Sequence, residues 1–383
     1  MAQSTVQTLV SPGRYVQGRG ALAQFGENLA RVGKKPLIIS DAFVRELVGD
    51  RVVASLEAAG LPVIWEEFRG IPHPGEIARF VEFIKQHDAD VVVGVGGGSA
   101  IDVAKASGHE TGIRWVTVPT AASTDAPTSA LGVIYTAEHN FLEYRIFPHN
   151  PDLVLVDVDV IAAAPPVFLA AGVGDALATW LEAKAVAESF SDTIAGDLAT
   201  VTGTALAKLS WEIIWENALP AMDAVRHGLI TPAVEKLTEA NILLSGLGFE
   251  SGGLAAAHAI HNGLTQVPQT HGLMHGFKVN IGSLTQLVLE GAPYQDIVDF
   301  IEFTTRVGLP TTLTEVGIDV DDIDTITKVA EGATAEGETI HCMPFEVTVP
   351  ALVDALRSIE HLSRRIREEA GLPAPVLYTP KKH

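Results

Sequence analysis

Apolar residues follow two regimes along the chain. Through about the first 160 positions, short apolar runs alternate with stretches at helical spacing. Residues 36–40 (PLIIS), 62–67 (PVIWEE), 90–94 (DVVVG), 115–118 (WVTV) and 153–157 (LVLVD) read as strands. Residues 42–59, 75–87 and 99–107 carry apolar positions three and four apart, the period of a helix buried on one side. In 75–87 these are Ile77, Phe80, Val81, Phe83 and Ile84. Strands alternating with helices predict a parallel sheet covered on both faces, because parallel neighbours need a long crossover. Residues 129–136 and 141–147 predict a hairpin across the polar segment 137–140 (AEHN). Beyond about Val160 strand signals nearly vanish and helical periodicity dominates. Thr231-Pro232 provides an N-cap and a first helical residue, and 321–330 and 350–369 read as further helices. The expected architecture is an α/β domain with a parallel sheet over 1–160 and an all-helical domain over 161–383. Without a linker, the cleft between two such domains is the natural ligand site.

Composition narrows the class. A length of 383 residues suits two domains of ~100–200 residues each. With 47% hydrophobic and 19% charged residues, each half can bury a core. The formal net charge of −21 repels nucleic acid and anionic membranes. No apolar run reaches the ~18 residues of a membrane helix. The first residues lack the basic-then-apolar pattern of a signal peptide, so a cytoplasmic location is expected. The single cysteine, Cys342, excludes an internal disulfide and reads as a small buried hydrophobe.

Two segments carry chemistry. In 90–105 (DVVVGVGGGSAIDVAK), Gly96, Gly97 and Gly98 follow a predicted strand and open a predicted helix, with Ser99 as its cap. Glycines let an anion approach the backbone, and the free N–H groups of a first helical turn bind it, so a diphosphate fits. Tight packing alone also favours such a turn. The usual dinucleotide fingerprint places G-x-G-x-x-G after the first strand and an acid about 20 residues later. Here the glycines follow a later strand and the acid, Asp41, closes an earlier one. That acid would repel a 2′-phosphate and favour NAD over NADP; its plainer role is a helix N-cap. The second segment, 251–278, holds His258, His261, His271 and His275, four of the 13 histidines. A lone histidine in an Ala-rich helix is usually core; four so close point to a metal, for which neutral imidazole is a common ligand. A carboxylate would complete the set. Asp175 follows two glycines and starts an apolar helix, but spacing does not choose it over Glu182 or Glu250.

The phrases GVGGGSAIDVAK, VPTAASTDAPTSALGVIYT, NPDLVLVD, GDALATWLEA, ESGGLAAAHAIHNG and HGLMHGFKV resemble the glycerol dehydrogenases of the iron-containing alcohol dehydrogenase superfamily. The resemblance spans nearly the whole chain. It implies an NAD-binding α/β domain, a helical domain of dehydroquinate synthase-like architecture, and a metal in the cleft. It places one zinc per subunit, with Fe2+ as the alternative, on Asp175, His258 and His275. Asp125 becomes the substrate-binding acid; the proton would leave through water or a nearby histidine such as His271, so that Asp125, His258 and His271 form the candidate catalytic set. Asp41, Gly98, Ser99, Thr120, Ser129, Leu131 and Tyr135 contact the cofactor beside Gly96 and Gly97, and His261 packs or lines the pocket. The implied partners are a small polyol and further copies of the chain in a homo-oligomer. Two positions depart from the family's pattern: Ser99 stands where many members have Lys, and Phe277 where an acid is usual.

The implied activity is NAD-dependent oxidation of glycerol, or a related vicinal polyol, to the hydroxyketone. Zinc with an open position would act as a Lewis acid, and hydride would pass to nicotinamide C4. The alternatives are a dehydrogenase of another small alcohol or of glycerol phosphate, and a dehydroquinate synthase-like lyase. Phosphorylated substrates call for several Lys and Arg, in which the helical segments are poor, Lys278 being the main exception. A non-catalytic NAD- or metal-binding module would not need both the ligand set and the glycine turn.

Overall fold

Six strands pair in parallel in the order Tyr15–Gly18, Leu153–Asp157, Arg114–Pro119, Val91–Gly96, Pro36–Ser40, Ile64–Glu67. The computed structural model describes residues 5–137 and 141–375. Alternation along each strand sorts side chains to the two faces. Ile38, Val91, Val93, Val95, Val116 and Leu155 face one core, with Phe25, Val48, Val52 and Leu56 from neighbouring helices. Leu37, Ile39, Val92 and Trp115 face the other, with Ile77, Phe80, Ile84, Val103 and Ala104. A fully buried Val or Ile contributes roughly 1.5–3 kcal/mol relative to exposure. β-propensity spans only ~1 kcal/mol, so burial fixes these strands. The helices Ala42–Ala58, Pro74–His87 and Gly98–Thr111 are the expected crossovers.

The chain runs from Pro36–Ser40 out to the edge strand Ile64–Glu67, then returns to the other side of Pro36–Ser40 as Val91–Gly96. Strand order reverses there, and ligands bind beyond the carboxyl ends of strands at such a point. Ile39 pairs with Gly94, so Asp41 and Gly96 lie two residues further on at adjacent strand ends. This adjacency explains why the acid and the glycines belong to different βα units.

Leu131–Tyr135 and Phe141–Ile146 form the expected antiparallel hairpin; residues 138–140 of its turn lie outside the described residues. The edge strand Tyr15–Gly18 was not visible in the apolar pattern, because its residues (YVQG) are all half-buried.

Two compact units differ from a single cut near 160. One comprises Val10–Pro165 with Ala224–Gly246, the other Met1–Leu9, Pro166–Asp223 and Leu247–His383. In the α/β unit, Gln17 donates to the carbonyl of Glu235 at 2.9 Å, tying the returning segment to the edge strand. In the helical unit, Gln7–Thr8 pairs with Leu198–Ala199, its one strand pair among the described residues, and Thr8 donates to Asp197 at 2.7 Å. These long-range bonds have no local sequence signature. Among the described residues no helix is long and apolar enough to cross a membrane.

Candidate metal centre and cofactor site

Asp175 lies inside the helix Pro166–Ser189, not at its start as its sequence context suggests. His275 opens the helix His275–Leu289, and His258 lies in the first turn of Ala256–Thr265. Close backbone approach brings two of these helices together. A Cβ added to Gly174 would sit 2.4 Å from the carbonyl oxygen of Gly276, and one on Gly276 1.8 Å from that of Ala171. Each glycine is the chain neighbour of a site residue, so the packing that needs them also sets Asp175 beside His275.

One ligand atom from each of Asp175, His258 and His275 lies within 4.8 Å of the others. Asp175 Oδ1 is 3.0 Å from His275 Nε2 and 3.5 Å from His258 Nε2. Burial alone would raise the Asp175 carboxyl, which is 1% exposed, but His275 and His258 outweigh it and hold it well below the usual carboxylate range. Burial would lower His258, yet Glu182 and Asp175 raise it well above an ordinary imidazole. The site thus concentrates negative potential where ring nitrogens and a carboxylate oxygen converge, the electrostatic demand that a cation meets. Two imidazoles and a carboxylate fit a divalent metal with open positions.

The outer nitrogens have unlike partners. His258 Nδ1 donates to Glu182 Oε2 at 2.6 Å. His275 Nδ1 and His261 Nε2 share a hydrogen bond of 2.9 Å. His261 Nδ1 donates to Asn262 Oδ1 at 3.1 Å, and Asn262 donates to Glu338 at 2.9 Å. Burial, then the nearby His275, push His261 well below the usual imidazole range, which keeps it neutral. His261 therefore does more than line a pocket: it backs His275. His271 stands apart, exposed, with Nε2 3.1 Å from the carbonyl of Thr265, and is not in the three-residue group. Glu250 is buried on another helix and also outside that group. Phe277 is fully buried and faces the core.

In the α/β unit, Asp41 caps its helix by accepting from Val44 N at 2.7 Å. The helix after the glycines begins at Gly98 with Gly97 as N-cap; Ser99 is its second residue and does not cap it. Gly94 is required by packing, since a Cβ there would lie 2.9 Å from both Ile101 Cα and Ala104 Cβ. Gly97 and Gly98 face open space, with nothing within 4 Å of an added Cβ. Packing does not explain those two, and the open helix N-terminus they form leaves its N–H groups accessible to an anion. Thr120 N donates to the carbonyl of Gly96 at 3.1 Å, holding the neighbouring strand end on the turn. Asp125 Oδ2 accepts from Ser245 Oγ at 2.7 Å.

Lys105, fully buried, donates to the carbonyls of Ala126 (2.5 Å) and Leu131 (2.7 Å) and to Ser129 Oγ (3.3 Å). It pins the segment carrying Asp125, Ser129 and Leu131 to the helix that follows the glycine turn. Ser129 is itself buried, with its hydroxyl engaged inside the fold. Tyr135 is half-buried at the end of the hairpin's first strand. Sequence reasoning missed Lys105 and Ser245, and weighed Glu182 only as a ligand. The available signal was spacing: Lys105 follows Asp102 by three residues and Glu182 follows Asp175 by seven, each pair on one helix face.

The α/β unit carries a glycine turn at its sheet's switch point and the helical unit an aspartate–histidine group on packed helices, the two features of a metal-dependent dehydrogenase. The model of the family "Iron-containing alcohol dehydrogenase" matches residues 12–158. A glycolaldehyde reductase of Halobacterium salinarum is 47% identical over 94% of this chain and 98% of its own length. A glycerol dehydrogenase of Citrobacter freundii is 44% identical over 94% and 99%. The crystal structure of glycerol dehydrogenase from Schizosaccharomyces pombe superposes with a TM-score of 0.94 at 36% identity, covering 100% of this chain and 97% of that one. The chain belongs to the iron-containing alcohol dehydrogenase family.

Proposed function

We propose that this protein is a metal- and NAD-dependent dehydrogenase that interconverts glycerol, or a related vicinal polyol, with its hydroxycarbonyl product. The observation that carries this reading is the triangle formed by buried Asp175 with half-buried His258 and His275. When bound, a divalent metal supplies Lewis acidity to a substrate hydroxyl and NAD accepts the hydride. Asp175 provides the group's anionic donor, and the two imidazoles present Nε2 because Nδ1 of each is engaged behind. Asp125, oriented by Ser245, accepts a hydrogen bond from a second hydroxyl and so separates polyols from plain alcohols. Gly97 and Gly98 offer backbone N–H groups to the diphosphate, and Asp41 disfavours a 2′-phosphate. Zinc is the proposed metal, since hydride transfer asks for no redox change at the ion. A cytoplasmic homo-oligomer accompanies this reading on the family resemblance.

The likeness to a glycolaldehyde reductase favours a second reading, reduction of an α-hydroxyaldehyde by NADH at the same site. One experiment addresses both: metal analysis, then absorbance assays with glycerol, 1,2-propanediol, ethanol and glycolaldehyde under each nicotinamide cofactor. Stripping the metal, or Asp175→Asn, is expected to lower kcat/KM by more than the ~10–100-fold that loss of an outer-shell partner costs. Full turnover by metal-free protein sinks the metal reading. A preference for ethanol over the diols sinks the polyol reading.

A further inference from the structure

Asp175 and Glu182 lie seven residues apart, about two turns, on the helix Pro166–Ser189. His258 is in contact with both. Its Nε2 faces Asp175 and its Nδ1 donates to Glu182 Oε2 at 2.6 Å. The second Glu182 oxygen, Oε1, accepts from the backbone N–H groups of Ala255 and His258, each at 2.9 Å. These are donors at the start of the helix Ala256–Thr265, which the helix cannot satisfy itself. Glu182 is fully buried, so its two oxygens are met by these three N–H donors rather than by water.

We propose that Glu182 is the positioning residue of the metal centre: it fixes the ring of His258, holds the ring proton on Nδ1, and thereby keeps Nε2 open for the ion. The proposal rests on the metal-dependent reading above and goes beyond its three ligands. A carboxylate behind a ligating imidazole raises the basicity of the metal-facing nitrogen. The two histidines are then unequal. His258 meets a carboxylate directly, whereas His275 meets the His261 imidazole and reaches a carboxylate, Glu338, only through His261 and Asn262. Glu182 is therefore the outer residue on which metal affinity depends most.

Glutamine at this position has one oxygen for two tasks. If that oxygen serves the backbone N–H groups, the amide N–H faces Nδ1 and drives the ring proton to Nε2. If it serves Nδ1, the helix start loses its acceptor. Glu182→Gln should therefore weaken Co2+ binding, read from the ion's visible absorption under chelator competition, by roughly 10–100-fold. His261→Ala should weaken it less. Circular dichroism checks that each variant retains its helices. In the zinc-loaded wild type, the His258 Nδ1 proton should appear far downfield in a histidine-labelled NMR spectrum, as expected for N–H donation to a carboxylate.

Equal Co2+ affinity in wild type and folded Glu182→Gln overturns the role of Glu182 and leaves the metal reading standing. A zinc-loaded wild type without the downfield proton also overturns it, whether or not the variant folds. A wild type that takes up neither Co2+ nor Zn2+ overturns the metal reading, and this proposal with it.

Discussion

Lys278 follows His275 by three residues on the same helix and is 8% exposed. Burial pushes its ammonium down to about 8. For a base whose folded value is depressed, the folded state carries a full penalty below that value, and the penalty fades as pH rises toward 10.5, the ordinary value. Lys278→Met is thus expected to be more stable than wild type at pH 7, by on the order of 3 kcal/mol at most, with the difference closing near pH 10.5. Urea unfolding at the two pH values measures this, and a pH-independent difference would count against it. Lys105 is the contrasting case: buried more completely still, it is met by two carbonyls and Ser129 Oγ, with Asp102 3.8 Å away. Burial raises Asp102 to about 6, with Lys105 pulling the other way. The two lysines look alike in sequence. Their surroundings, assembled from residues far along the chain, separate them.

At the scale of elements, neighbouring glycines do different jobs. Gly94 lets the helix Gly98–Thr111 pack on its own strand, and a Cβ there would strike that helix's backbone. Gly94→Ala should cost about 1–3 kcal/mol, the usual range for overpacking. Gly97 has φ −81°, which any residue adopts, and open space around it. Gly97→Ala should leave the melting temperature unchanged and raise KM for NAD. Thermal melts paired with cofactor titration test the contrast; a destabilised Gly97→Ala with unchanged KM would reassign that glycine to packing. The βα alternation was legible from period alone, because burial on both faces demands continuous apolar strands. Ser99 reads as a cap in sequence because sequence cannot tell whether a helix starts two residues earlier, on a glycine. Asp175 is placed at a helix start by the sequence for the same kind of reason: Gly172 and Gly174 suggest a boundary, but the helix runs through both, and Gly174 serves the close approach to Gly276.

At the scale of the whole molecule, 47 acidic against 26 basic side chains give the −21 net charge. Like charges on a compact surface repel more than in the expanded chain, so screening should stabilise the fold. The Debye length shrinks from ~10 Å at 0.1 M salt to ~3 Å at 1 M. The melting temperature should rise with NaCl over that range, by roughly 2–4 °C for each kcal/mol of repulsion removed. A flat melting curve would mean that the charges are already locally paired.

Sequence by itself determined the parallel α/β half, the helical half, the glycine turn and the histidine-rich segment, because period, turn chemistry and residue type are local properties. It did not by itself choose among three carboxylates for the metal; only the family resemblance did. Tertiary structure decided which groups meet. It set Asp175 against His275 through two glycines on packed helices, placed Glu182 behind His258 and His261 behind His275, and left His271 outside. It also joined Ala224–Gly246 to the α/β unit and Met1–Leu9 to the helical one. These outcomes depend on contacts between positions up to 218 residues apart, and the local pattern of a chain carries no record of such distances.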